Sequence, residues 1–320
     1  MPLAATVGWQ KMQLHYQSCK AWYGHKAFSA ESKISAKDVR MSELSTNSER
    51  HAFDRAMAME ATGRNQYAAQ ASKDYWNMVG PYGGITAAQV AQAVLQHPQR
   101  LGDLVAITVN YAGAVGERPY VIEAIPARTN RSTQHWIITL REQDAQGQWS
   151  TTTTATAMTA LARETWSDDE YAMPEVPPAS AVERYTTDFR VEWLNRYNIR
   201  PLLGGYPTEW DGAASPSLTR MWVGDEPPRP LDVPALTSLC DVFFPRIWLR
   251  RAKRVPVGTV SLTVYVHASA EQLAAVGTQP VLAQAQGQGF RDGFFDQTAQ
   301  IWSPQGVLLA TSHQLVYYKE

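Results

Sequence analysis

The stretch Gly258–Ser269, GTVSLTVYVHAS, sets Val260, Leu262, Val264 and Val266 in strict alternation with Thr259, Ser261, Thr263 and Tyr265. A period of two marks a strand with one buried face. The stretch Asp103–Ala114, DLVAITVNYAGA, has Val105, Ile107, Val109 and Tyr111 at the same phase, 155 residues earlier. Each strand is followed by two further strand-like runs and a closing turn, DAQGQW (144–149) in one case and SPQGVL (303–308) in the other. Each turn carries a glycine suited to the positive φ of a hairpin.

A helical stretch precedes each opening strand. In GGITAAQVAQAVLQ (83–96), Ile85, Ala88, Ala91, Val94 and Leu95 share one face, and Pro98 ends the run. In DVPALTSLCDVFFPRIWLRRAK (232–253), Asp232 is an N-cap, Pro234 suits the first turn, and Leu236, Leu239, Cys240 and Phe243 form the apolar stripe. A helix must bury its stripe, and a curved antiparallel sheet offers one face for it. The expectation is an α+β chain in which a sheet wraps a helix twice, at 49–166 and 184–320. The acidic, proline-rich run 167–183, SDDEYAMPEVPPASAVE, reads as a linker. Two such units pair edge to edge as an internal pseudo-dimer, which covers strand edges that invite aggregation.

The bulk numbers bound the function. With 320 residues, 44% hydrophobic and 18% charged, the chain is globular. Its 29 basic and 30 acidic residues give no global pull toward nucleic acid or an anionic membrane. No apolar run is long enough for a transmembrane helix. Two cysteines, Cys19 and Cys240, are too few for a disulfide framework or a cysteine metal site, which fits a reducing cytoplasm. Residues 1–48 read as a disordered leader; the first forty are basic, contain serine and are poor in acids, which also gives them a faint transit-peptide character. No G-x-S-x-G elbow or P-loop occurs, and GQGFRDG lacks the context of a dinucleotide site. The seven histidines lack ligand spacing, so neither metal nor cofactor is expected; His267 and His313 read as structural.

Four stretches are similar to one family: LDVPALTSLCDVFFPRIW (231–248), VPVGTVSLTVYVHA (255–268), GFRDGFFDQTAQIWSPQGVLLATSHQ (289–314) and DYWNMVGPYGGITAAQVAQAV (74–94). They resemble the acyl-CoA thioesterase II family of double hot-dog proteins, over roughly Phe53 to Tyr318. The resemblance implies two tandem hot-dog domains and cofactor-free hydrolysis of acyl-CoA, the one partner expected. A homo-oligomer stays open. It also implies a water held by a helix Asp, a strand-start Thr and a late-strand Gln, which match Asp241, Thr259 and Gln314. The stretch joining Asp241 to Thr259 is shorter than in better-known members and carries the basic run RIWLRRAKR.

Residue chemistry bears on the same positions. Asp241 falls where a helix disfavours a carboxylate, and Pro245, four residues on, leaves its carbonyl without a helical partner; an exposed helix Asp is the plainer reading. Gln314 shares a strand face with Leu308, Ala310, Val316 and Tyr318, where a carboxamide needs partners. Gly83 and Gly84 open a helix whose amides suit an oxyanion, and serve equally as a cap. Arg246, Arg250 and Arg251 suit the phosphates of coenzyme A, or a solvated helix C-terminus. The same shift of 155 sets Thr86 against Asp241 and Leu104 against Thr259, and Gln314 falls between Ala155 and Thr159. One active site per chain is therefore expected. The rivals are a non-catalytic acyl-CoA or acyl-carrier binder and a hot-dog hydratase or dehydratase, although CDVFFP offers no His beside the Asp.

Overall fold

The computed structural model describes residues 50–187 and 191–320; the leader reading of residues 1–48 lies outside the described residues. Helix α1 (Ala52–Ala56) leads into the hairpin β1 (Glu60–Gly63) and β2 (Gln66–Ala69). Helix α2 (Gly83–Leu95) follows, then β3 (Asp103–Tyr111), β4 (Tyr120–Thr129), β5 (Thr133–Gln143) and β6 (Trp149–Ala160). The second half opens with β7 (Tyr197–Leu203) and β8 (Thr219–Asp225), then helices α3 (Val233–Leu239) and α4 (Arg246–Arg251) and strand β9 (Val257–Val266). It closes with α5 (Ala270–Val276), β10 (Val281–Gln286), the short β11 (Phe290–Arg291), β12 (Phe294–Trp302) and β13 (Leu308–Tyr318).

Among the described residues thirteen strands join one antiparallel sheet in the order β1-β2-β4-β5-β6-β3-β9-β13-β12-β10-β8-β7, with β11 attached to β12. Read outward from the β3–β9 pair, the two sides follow one plan: β6 answers β13, β5 answers β12 and β4 answers β10. At the centre Thr108 lies opposite Thr263, their hydroxyl oxygens 3.0 Å apart. These two are the same position of the 155-residue repeat, and a residue facing its own counterpart is the mark of a twofold relation. The two strands that first revealed the repeat therefore cover each other's edges.

The expected turn glycines are in place, Gly147 with φ +80° and Gly306 with φ +91°. On α2, Ile85, Ala88, Ala91 and Val94 are buried as the pattern requires, and Ala87, Val90 and Ala93 on the other side are buried too. This helix is enclosed by sheet and by α3, and its alanines allow the close approach. At Gly84 a Cβ would stand 2.5 Å from the Ser238 carbonyl oxygen, so the α2–α3 crossing needs a glycine there.

One expectation needs correction. The helix from Asp232 is not continuous: it is N-capped by Asp232, whose side chain accepts from the Ala235 amide at 2.9 Å, but it ends at Leu239. Cys240 to Pro245 form a break before α4, and the Asp241 and Val242 amides reach back only three residues, to Ser238 and Leu239. Asp241 thus sits just past a helix end, not inside a helix. Part of the run read as a linker, residues 171–182, also packs as a strap on the sheet's outer side. Met173, Val176 and Ala179 cover Trp222, Leu282 and Trp302, and both indole N–H groups donate to strap carbonyls, Trp222 to Pro177 at 2.9 Å and Trp302 to Tyr171 at 3.1 Å. Among the described residues no helix is long and apolar enough to cross a membrane.

Candidate active site

The break after α3 drops Asp241 against the N-terminus of α2, which belongs to the other half. A Cβ on Gly83 would lie 2.7 Å from Asp241 Oδ2, and the Gly84 amide donates to the carboxylate. On the opposite side Gln314 Nε2 donates to Asp241 Oδ1 at 2.6 Å and, more weakly, to the Cys240 carbonyl at 3.4 Å. Ser312, two residues before Gln314 on the inward face, donates to that same carbonyl at 3.3 Å. The break is thereby pinned to β13, with the carboxylate held between a helix start and a strand.

Thr259 reaches this place by an irregularity. Simple alternation would set it on the face opposite Leu262 and Val264. The β9–β13 ladder skips Val260, however: Leu315 faces Ser261 and Val316 faces Thr259. This β-bulge adds one residue to β9 and moves Thr259 to the same side as Gln314, two pairs along the ladder. Thr259 lines a cavity of about 510 Å³ together with Asp241, Gln314, Gly83 and Thr86. Its remaining wall is mainly non-polar and includes the aromatic side chains of Tyr82, Tyr111, Trp193, Phe243, Trp248 and Phe295.

Two of those tyrosines fix the helix start. Tyr82 donates from its hydroxyl to the Ser238 carbonyl at 2.7 Å and stacks on Trp193 at 4.5 Å, and Tyr111 donates to the Gly83 carbonyl at 2.8 Å. Burial pushes both phenols well above their ordinary range, and the Asp241 charge adds to it. Asp241 itself is pushed up to about 7 by burial, against the downward pull of the Gln314 and Gly84 hydrogen bonds. A carboxyl group poised near neutrality in a cleft has the character of a general base. Burial raises the neighbouring Cys240 thiol, which makes it unreactive.

The arginines divide. Arg246 is fully buried, and its guanidinium donates to the Phe244 carbonyl at 2.9 Å, the Ser217 carbonyl at 2.7 Å and the Thr219 hydroxyl at 2.6 Å. Burial pushes it down to about 9. The reading of Arg246 as a phosphate ligand is corrected: its donors are spent on the fold. Arg250 and Arg251 line a second cavity of about 670 Å³ with Arg291. Arg251 also pairs with Glu320 at 2.8 Å, Arg251 being half-buried and Glu320 exposed. One apolar cluster separates the cavities, with Ile247 and Phe290 toward the arginines and Trp248 and Phe295 toward Asp241.

Sequence reasoning missed Gln297. It faces Gln314 across the β12–β13 ladder, is 3% exposed and lines the Asp241 cavity. The available signal was a carboxamide in phase with Phe295, Ala299 and Ile301. His267 and His313 are placed as structural groups, bonded to Thr311 at 3.0 Å and Asp296 at 3.1 Å.

Two family models match the chain: an acyl-CoA thioesterase N-terminal domain over residues 72–160 and an acyl-CoA thioesterase C-terminal domain over 168–318. Among solved structures, a conserved protein of unknown function with a hot-dog fold from Alicyclobacillus acidocaldarius is 44% identical. That match covers 85% of this chain and 99% of the other, with a TM-score of 0.79. An acyl-CoA thioesterase II from Mycobacterium marinum is 15% identical, covers 84% of this chain and 98% of its own with a TM-score of 0.65, and speaks to the fold alone. No curated protein matches the sequence. The architecture is a tandem hot-dog pair joined as an internal pseudo-dimer.

Proposed function

The chain belongs to the acyl-CoA thioesterase family, and from that premise we propose that it hydrolyses acyl-CoA with a water held by Asp241, Thr259 and Gln314. The observation that carries this reading is the 2.6 Å hydrogen bond from Gln314 to a buried, high-pKa Asp241 inside a cavity that Thr259 also lines. Asp241 accepts a proton from the water as its oxygen bonds to the thioester carbonyl carbon. Thr259 and Gln314 fix the direction of attack. Collapse of the tetrahedral intermediate breaks the C–S bond, and the CoA thiolate recovers the proton from Asp241 as the free acid leaves. The Gly83 amide, in a first helical turn without intrahelical acceptors, donates to the oxyanion; the Gly84 amide serves the carboxylate instead.

In a free-thiol release assay across acyl-CoA lengths, Asp241→Asn lowers turnover about a hundredfold or more, the usual scale for a lost general base. Wild-type activity rises with pH to a plateau above about 7, as Asp241 ionises. Stability runs the other way. Between about pH 4, where the unfolded carboxyl ionises, and about 7, native Asp241 keeps its proton and wild-type stability falls. Asp241→Asn removes that contribution. Unchanged turnover in the variant would reject Asp241 as the base, whereas no thiol release from the wild-type protein would favour the non-catalytic binder.

Arg250 and Arg251 contact the CoA phosphates, a role supported by their cavity beside the catalytic one. Replacing both with Ala raises KM for acyl-CoA about threefold to tenfold, the modest effect expected of exposed charges. It leaves acyl-pantetheine hydrolysis unchanged; equal effects on both substrates remove the assignment. A cytoplasmic setting is part of the same proposal, supported by the cysteine usage.

A further inference from the structure

Strand β12 turns Phe295, Gln297, Ala299 and Ile301 inward, three apolar side chains and one carboxamide. Gln297 is 3% exposed, and its side chain makes no hydrogen bond to protein among the described residues, its amide reaching the cavity instead. It is not sealed in, because it lines the cavity that holds Asp241. An amide buried with no partner lowers stability unless a ligand completes it.

Beside the Gly83 amide, already assigned to the oxyanion, the neighbouring donors serve the carboxylate and its backbone. The Gln314 amide serves Asp241 Oδ1 and the Cys240 carbonyl, and the Gly84 amide serves the Asp241 carboxylate. Gln297 and Gln314 are cross-strand partners, so their Cβ atoms stand about 4.5–5.5 Å apart. A group held beside Gln314 for attack by the water is therefore within reach of the Gln297 carboxamide. The matching residue of the other half, Trp136, is fully buried and donates its indole N–H to Thr159 at 3.2 Å. That half carries no unspent amide at this position.

We infer that Gln297 is a further catalytic residue, its buried and unpartnered carboxamide donating to the thioester carbonyl oxygen beside Gln314 as that oxygen becomes an oxyanion. This rests on the proposed hydrolysis at Asp241. The test compares Gln297→Leu, Gln297→Glu and Asp241→Asn with the wild-type protein. Loss of one oxyanion donor lowers kcat about a hundredfold or more with KM little changed, and the Glu variant, which sets a carboxylate against the oxyanion, falls further. Binding separates this role from a structural one. An acyl-CoA analogue with a trifluoromethyl ketone at the thioester position adds water to form a tetrahedral adduct. Its affinity for Gln297→Leu drops about as far as kcat does, while a thioether analogue without a carbonyl binds as in wild type. The melting temperature of Gln297→Leu stays close to that of wild type, because no hydrogen bond to protein is lost. Unchanged kcat in both Gln297 variants, or equal losses of affinity for the two analogues, overturns the inference while leaving an inactive Asp241→Asn in force. An active Asp241→Asn instead removes the Asp241-centred mechanism on which the inference stands.

Discussion

Where β13 carries Gln314, the first half carries Ala157 on β6; where β12 carries Gln297, β5 carries Trp136; where β9 carries Thr259, β3 carries Leu104. These correspondences follow the ladder outward from the Thr108–Thr263 pair. Even the irregularities are duplicated. The β3–β6 register skips Val105 as the β9–β13 register skips Val260, and β5–β6 skips Thr152 where β12–β13 skips Leu309. In the first half the bulge turns Leu104 into the core, 2% exposed; in the second it turns Thr259 toward a cavity. The bulge is thus a property of the scaffold. On this shared strand plan the halves differ in three inward side chains, and the second half alone has the helix break that places Asp241.

The outer side of the sheet shows the same economy. Trp222, Leu282 and Trp302 form a row on the second half, and their counterparts on the first are Ala68, Val121 and Arg141. The strap lies on the apolar row. Arg141 is partly exposed, 3.6 Å from Glu123 and near the Trp149 ring, so that row has charge of its own to meet water. Trp302→Ala tests this contrast with the largest expected effect. A fully buried Trp that donates to the strap should cost about 3–5 kcal/mol in denaturant unfolding. Arg141→Ala should stay within about 0.5 kcal/mol of wild type, as surface substitutions do. Similar losses at the two positions would mean that the strap adds nothing specific to the second half.

Much of this was legible in the sequence. Alternation gave the strands, the 155-residue shift gave the duplication, and Thr108 opposite Thr263 realises that shift in space. Other features were hidden for physical reasons. A bulge leaves no trace in a hydrophobic pattern, so Thr259 looked outward until the ladder was known. The strand shift does not carry over to the helix starts, which lie 150 residues apart at Gly83 and Val233. Thr86, matched to Asp241 by the uniform shift, lines the Asp241 cavity itself and marks no second centre. Arg246 belongs to a run that reads as solvated, yet acceptors from residues 217, 219 and 244 converge on it; only tertiary packing brings them together. Gln297 was visible as a misfit in an apolar phase, but its pairing with Gln314 depends on a hairpin register.

The sharper and smaller test of the two halves exchanges their residues at a single ladder position. Gln314→Ala gives the second half the side chain that the first half carries. Asp241 then loses its closest donor, and the water loses one of its guides. Turnover should fall roughly tenfold to a hundredfold, since misplacing a reacting group is costly but the base remains. That corresponds to about 1.4–2.7 kcal/mol of barrier, below the cost expected for Trp302→Ala. The lost hydrogen bond also lowered the Asp241 pKa, so the rising limb of the pH profile should move to higher pH in the variant. The reverse exchange, Ala157→Gln, should add no turnover to an otherwise inactive Asp241→Asn chain. Its ladder partner Trp136 is buried, and no break sets a carboxylate beside it. A pH profile unmoved by Gln314→Ala would detach Gln314 from Asp241, and turnover restored by Ala157→Gln would show that the first half keeps a latent site.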